Sequence, residues 1–541
     1  MFAALCALLI LRAPVVAADE SALNCSQVKS AFAELGFGPD GFPAEEISGV
    51  GLQVCSAQSS CCSVEMEQML VGRSSQDFRK LMAEVSEELR DALHSAHNRL
   101  HDLFVDVLES TERSLHQMFQ RTYGQPYLQN AELFQDLFSQ LKRYYCGGGG
   151  HLEETLSEFW ARLLERMFRL LNSQFSITDD YLECVKELQT LRPFGDVPKQ
   201  LKAQLTRAFI TARAYVLGLG VGRDVANRVS EVSMSSVCVG RFTRMLYCSQ
   251  CRGLSALKPC SRYCLTVMKA CLPDLEPEWS RYIDAMLLLT ERLEGPFNME
   301  SVMEPIDVKI SEAIMNMQEN SMQLSYQVFQ GCGQPEPSGM SRSARAVPDT
   351  FSFSPYSPEE LPTAAGSRLD RLVTDIKEKL KQFRKFWSSL PVSICQEEHV
   401  AAAEDEPCWN GHEQARLVPE DQNDLENDPE VSANASRPDA LIRQQILALR
   451  EISNKLKNAY DGHDFYSQDS NEESSGSGSG SGVPDSESFL TDAPVLENRD
   501  ESSTSPTSST SSSSSSSLAS SIRPDILLLF FSALVVRDGL R

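Results

Sequence analysis

Ser475, Ser477, Ser479 and Ser481 alternate with Gly476, Gly478, Gly480 and Gly482, and acids flank them: Asp469, Glu472 and Glu473 before, Asp485 and Glu487 after. Glycine has no Cβ and serine adds little bulk, so the segment neither packs nor holds one shape. Its hydroxyls stand on a solvated strand that a modifying enzyme can thread into its cleft. The chemistry on offer is a sugar linked to the serine oxygen, and Ser-Gly beside acids is an acceptor pattern for glycosaminoglycan chains. A plain flexible linker has the same composition. Context must decide.

Other chemistry is thinner. His94, His97 and His101 fall at i, i+3, i+7 of one helix, a spacing that suits a metal, but no carboxylate partner accompanies them and a polar helix face explains them better. Gly218, Gly220 and Gly222 resemble a phosphate loop only faintly, since no strand precedes them. No HExxH, no G-x-S-x-G and no other catalytic constellation occurs, so neither an enzyme nor a cofactor is expected. Cys248-x-x-Cys251 alone favours a redox enzyme, a hydrolase or a zinc site. Asn434-Ala435-Ser436 is a glycosylation sequon, and Asn24-Cys25-Ser26 is a second with a cysteine at its centre.

Both ends of the chain bear on compartment. Residues 1–18 carry an apolar core and close on Val16-Ala17-Ala18, the form of a signal peptide although a basic start is missing. Ile526 to Val536 is an apolar run of eleven, about half what a membrane helix needs. Preceded by Ser511 to Ser517 and a short polar spacer, it reads as the signal for a glycosylphosphatidylinositol anchor placed near Ser515. A net charge of −25 opposes phosphate backbones, which excludes nucleic acid as a partner. Of sixteen cysteines, Cys6 lies in the leader. The other fifteen should be mostly disulfides in a secreted chain, with one left over.

The elements that carry these residues read as helices. Leu100, Leu103, Phe104, Val107, Leu108, Leu115, Met118 and Phe119 keep to one face, as do Leu133, Phe134, Leu137, Phe138, Leu141 and Tyr145. Leu152, Leu156, Phe159, Trp160, Leu163, Leu164, Met167, Phe168 and Leu171 form a third stripe. Ser367 to Asp370 offers a capping box for a helix bearing Leu372, Ile376, Leu380, Phe383, Phe386 and Leu390. A last helix follows Pro438, through Ile442, Ile446, Leu449, Ile452, Leu456 and Tyr460. The fold class is all-α: an elongated, disulfide-stapled helical core over residues 19–460, with cysteine-rich segments at 25–62 and 238–271. A disordered Ser/Gly-rich stalk over 461–515 and a removable anchor signal over 516–541 complete the organisation.

Residues 238–271 carry Cys238, Cys248, Cys251, Cys260, Cys264 and Cys271, with Gly253, Pro259 and Tyr263 between them. This segment closely resembles the glypican family signature, with Ala270 where the family usually has glycine. Glu158 to Arg166, Arg192 to Asp196 and Asn458-Ala459-Tyr460 are also glypican-like. The resemblance implies seven pairs: Cys25 with Cys61, Cys55 with Cys248, Cys62 with Cys251, Cys184 with Cys332, Cys238 with Cys271, Cys260 with Cys408 and Cys264 with Cys395. Cys146 is then the odd cysteine, expected in an exposed loop as a reactive thiol or an intermolecular bond.

The loop over 332–366, rich in proline, contains Arg342-Ser343-Ala344-Arg345. Related glypicans are cut in this region, and chance arginines are the alternative. The resemblance further implies a heparan sulfate proteoglycan, with chains on Ser475, Ser477, Ser479 and Ser481. It would act at the cell surface, from the outer leaflet or after shedding, as a co-receptor for Wnts, Hedgehogs, fibroblast growth factors and bone morphogenetic proteins. An adhesion or receptor ligand acting through its helical core, with the sugars secondary, is the other function class.

Overall fold

The computed structural model describes residues 25–34, 43, 45–148, 150–188, 191–295, 297–338, 368–397, 400–403, 406–415 and 440–464. Regular structure among them is almost entirely helical, as the 3.6-residue periodicity predicts.

The chain enters through α1 (Ser26–Glu34) and a two-residue antiparallel pair, β1 (Ile47–Ser48) with β2 (Ser59–Ser60). Helix α2 (Val64–Val85) starts at Ser63, whose hydroxyl accepts from the Met66 amide at 3.3 Å and satisfies one of the orphan donors of the first turn. It gives way at Ser86 to α3 (Glu87–Tyr123), whose 37 residues run about 55 Å. After α4 (Gln125–Leu128) come α5 (Ala131–Tyr145) and α6 (Leu152–Leu171). The apolar stripes of α3, α5 and α6 are buried essentially as the spacing predicts; only Met118 and Leu171 are half-buried. Between α5 and α6, Gly147 and Gly150 adopt φ of 87° and 112°, which explains the glycine run there.

Next are β3 (Phe175–Ser176), α7 (Asp179–Glu187), α8 (Val197–Ser230), α9 (Ser236–Leu246), α10 (Cys248–Cys251) and α11 (Ser261–Cys271). Then α12 (Glu276–Leu293), α13 (Met299–Met303), α14 (Ile306–Glu319), α15 (Ser321–Cys332) and β4 (Glu336–Pro337), which pairs with β3. Last come α16 (Arg368–Phe383), α17 (Phe386–Gln396), the pair β5 (Cys408–Trp409) with β6 (Gln414–Ala415), and α18 (Ala440–Asp461).

Helix α8 is the axis of this body, packed by α3, α12 and α18. It shows no stripe because it is buried on nearly every side: Ala208, Phe209, Ile210, Thr211 and Ala212 are consecutive and all buried. Gly218 and Gly222 lie inside it, not in a phosphate loop. A Cβ at Gly218 would sit 2.5 Å from Met286 Sδ, and one at Gly222 would overlap the Tyr282 phenol, so the glycines allow α12 to approach the α8 backbone. Tyr282 then donates to the Gly218 carbonyl at 2.9 Å.

One helical stripe is divided. The pattern from Leu372 to Leu390 predicts a single helix, whereas the structure ends α16 at Phe383 and restarts at Phe386. Trp279 Nε1 donates to the Phe383 carbonyl at 2.8 Å and the Ser280 hydroxyl to the Arg384 carbonyl at 3.1 Å. Both acceptors are thereby taken from the next turn. The proposed cap, Ser367, lies outside the described residues.

Seven disulfides staple the helices: Cys25–Cys61, Cys55–Cys248, Cys62–Cys251, Cys184–Cys332, Cys238–Cys271, Cys260–Cys408 and Cys264–Cys395. Two of them close spans of 193 and 189 residues, each worth about 5 kcal/mol in the chain-entropy account taken singly. Carboxylates add local ties. Buried Glu67 accepts from the amides of Gln53, Val54 and Cys55 at 2.9, 2.8 and 2.7 Å, fixing the loop before β2. Glu278 joins α12 to α18 through Arg450 at 2.9 Å and also meets Arg281 at 2.7 Å.

Candidate functional site

Ser475, Ser477, Ser479, Ser481, Ser515, Asn24, Asn434, Arg342 and Arg345 all lie outside the described residues, as do the leader and the tail. Within the described residues, chemistry-bearing side chains resolve as follows.

The sulfurs of Cys248 and Cys251 are bonded to Cys55 and Cys62 rather than to each other. The Cys-x-x-Cys spacing therefore serves two long-range staples and supplies neither a redox couple nor thiolate ligands. His94 and His97 both bond the Asn98 amide at 3.0 Å, and His101 stacks on Tyr145. No group of His, Cys, Asp or Glu among the described residues has the geometry to hold a metal. Burial holds His97 below its ordinary pKa, with Arg223 and His101 adding to the effect and Asn98 and Asp224 opposing it.

Cys146 is the free cysteine among the described residues, and the residue is exposed. Partial burial of its thiol pushes the pKa up, against the nearby Arg213 charge. A thiol so placed is mostly protonated at neutral pH and is a poor nucleophile.

An apolar groove of about 370 Å³ is the feature that sequence reasoning missed. Its walls come from five elements: Phe119 and Tyr123 of α3, Tyr127 of α4, Phe134 of α5, Leu163, Met167 and Leu170 of α6, and Ile314 of α14. Gly124, at φ 57°, lets the chain turn from α3 into α4 and bring Tyr127 back over Phe119 and Phe134, ring centroids 5.5 and 5.4 Å apart. Polar groups are few. Arg166, Asn130 and Gln318 line the groove, and the buried Gln318 Oε1 has no hydrogen-bond partner among the described residues. The Tyr127 hydroxyl bonds His116 Nδ1 at 2.9 Å, and burial together with Glu112 pushes its pKa up to about 12. A volume of this size, apolar with a few convergent polar atoms, fits the range of small-ligand sites. No local sequence period could have shown it, because its residues belong to separate stripes.

A disulfide-framed, almost entirely helical core protein with no metal-holding cluster among its described residues is the class this fold defines. The family model described as Glypican matches residues 5–537. Glypican-1 of Gallus gallus is 40% identical over 474 residues, covering 86% of this chain and 85% of that protein. Human glypican-2 is 39% identical over 476 residues, covering 84% and 82%. The crystal structure of the full-length glypican-1 core protein superposes with a TM-score of 0.73 at 37% identity, covering 82% of this chain and all of that one. Dally-like protein in complex with O-palmitoleoyl serine gives 0.64 at 32% identity, covering 82% and 100%. The chain belongs to the glypican family.

Proposed function

We propose that this chain is the core protein of a heparan sulfate proteoglycan at the cell surface, acting as a non-enzymatic co-receptor for growth factors and morphogens. One observation carries the reading: the family match runs through the Ser-Gly repeat to residue 537, beyond the helical core. Sulfated chains on Ser477, Ser479 and Ser481, and on Ser475, form a dense polyanion that attracts basic ligands by charge, with the salt dependence this entails. An anchor near Ser515 keeps captured ligands at high effective concentration beside their receptors. Asn434 and Asn24 would carry N-linked sugars. A cut after Arg345 would leave two halves joined, since Cys260–Cys408 and Cys264–Cys395 reach across it. Cys146, exposed and free among the described residues, would act as a reactive thiol or join a second molecule by exchange with that molecule's disulfide, whose other sulfur leaves as a thiol; its raised pKa slows that attack.

Gel mobility tests the reading. Cell-expressed protein should run as a high-mass smear that collapses with heparinase and is absent when Ser475, Ser477, Ser479 and Ser481 are all alanine. A sharp band near the core mass in every lane would leave the repeat a linker.

The groove favours a second reading, in which the core binds a partner directly. Its apolar walls would take an acyl chain, with Arg166 and Gln318 available to the polar end, and the similarity to Dally-like protein in complex with O-palmitoleoyl serine supports that ligand class. Binding of O-palmitoleoyl serine by the sugar-free protein, abolished by Leu163→Trp, is the expected result; binding unaffected by that filling substitution would place the ligand elsewhere.

A further inference from the structure

Residues 232–273 hold Arg241, Arg244, Arg252, Lys258, Arg262 and Lys269 and not one Asp or Glu, within a chain whose net charge is −25. The fold gathers this stretch rather than dispersing it. Cys238–Cys271 ties the start of α9 to the end of α11, and Arg241 and Arg244 lie close enough to Tyr263 of α11 for their charges to act on its phenol. Arg262 and Lys269 are both exposed and, seven residues apart, share one face of α11 about 10 Å from each other along the axis. Arg252, half-buried, caps the end of α10.

Carboxylates of the packed helix α2 are engaged elsewhere. Glu67 is taken by three loop amides, and Asp77 by Arg73 at 2.9 Å and by the Tyr247 hydroxyl. Exposed Glu406 and Glu413 stand near the β5–β6 pair that adjoins Pro259, at the edge of the surface. Among the described residues none of Arg241, Arg252, Arg262 and Lys269 forms an ion pair, whereas α16, also basic, and the turn after it give Arg368, Lys377, Lys381 and Arg384 to carboxylates.

We infer that the basic surface of α9–α11 binds a sulfated glycosaminoglycan presented by another molecule. A linear polyanion with regularly repeated sulfates is complementary to cations strung along a helix face, and such binding draws its strength from counterion release. The surface is complete within the described body, so an added chain suffices. This role is separate from any sugar the protein itself carries.

The test uses the full chain with Ser475, Ser477, Ser479 and Ser481 changed to alanine, so that no chain of its own competes, and heparin oligosaccharide as the probe. Arg252→Glu, Arg262→Glu and Lys269→Glu together should weaken heparin binding by about tenfold or more, and lower the slope of log K against log salt by up to about three. Arg371→Glu and Lys379→Glu on α16, with Lys385→Glu in the turn that follows it, change the net charge equally and should leave affinity within about threefold of the parent. Equal loss in the two triple variants would mean diffuse attraction and overturn the assignment, as would no heparin binding by the parent. Vesicles containing phosphatidylserine, bound by the parent in preference to heparin, would instead make it a lipid surface and also overturn it. If the charge-reversed set fails to fold, as judged by melting and by mobility without reductant, the matching glutamine set provides the same comparison.

Discussion

Substituting alanine for Gly222 in α8 places a methyl group on the Tyr282 phenol, 2.8 Å from Cζ and 3.1 Å from Cε1. Tyr282 has no room to swing away: it is fully buried, bonded to the Gly218 carbonyl at 2.9 Å and packed against Trp279. Overpacking of this kind costs about 1–3 kcal/mol, and displacement of the phenol adds roughly 1 kcal/mol for the lost hydrogen bond. Alanine inside a helix returns up to about 1 kcal/mol relative to glycine, so the balance is a loss of about 1–3 kcal/mol. Gly72 in α2 supplies the opposing case, with nothing within 4 Å of the added atom. There the propensity term stands alone and Gly72→Ala should stabilise by about 0.4–1 kcal/mol. Unfolding entropy scaled to this length converts 1 kcal/mol into roughly 1 °C. Calorimetry of the oxidised protein should find Gly222→Ala melting about 1–3 °C lower and Gly72→Ala up to about 1 °C higher. A Gly222→Ala protein melting at or above its parent would refute the close approach of α8 and α12.

Further expectations concern charges. Glu67→Gln replaces one acceptor oxygen with a donor facing loop amides and should cost about 2 kcal/mol, with faster proteolysis of residues 49–57 as the local signature. Arg450→Met should cost about 1 kcal/mol, but joined to Arg281→Met it leaves buried Glu278 unpaired and should cost about 3 kcal/mol or more; a strictly additive double variant would count against that geometry. Because His97 sits below its ordinary value in the folded state, the unfolded chain takes up the proton first as pH falls through about 6.5. Stability is therefore intact above that pH and declines below it. His97→Gln should flatten the melting temperature between pH 7 and pH 5, and an unchanged acid limb would show that other groups set it.

Legibility in the sequence followed the geometry of exposure. The stripe from Leu152 to Phe168 was readable because α6 buries one face, so its period survives in the text. Helix α8 was not, because a helix buried all round has no polar face to set the period, and its packing glycines imitate a loop. The division of α16 from α17 depends on Trp279, about a hundred positions earlier, and local pattern cannot carry that. The disulfide partners came from family resemblance; spacing alone left them open. The groove was invisible for the same reason as the division: Phe119, Tyr127, Phe134, Leu163 and Ile314 meet only in three dimensions.

Cys55 and Cys62 find their partners 193 and 189 residues later. At a synthesis rate of about 5–20 residues per second, the N-terminal segment waits roughly 10–40 s for Cys248 and Cys251 to emerge. Cys25, whose partner is only 36 residues away, can close on Cys61 meanwhile, with Cys62 adjacent as the wrong choice. The beginning of this protein is thus finished by its middle. A fragment ending between residues 67 and 247 would leave both Cys55 and Cys62 without their partners, and would hold its N-terminal segment only through Cys25–Cys61 and the Glu67 carboxylate.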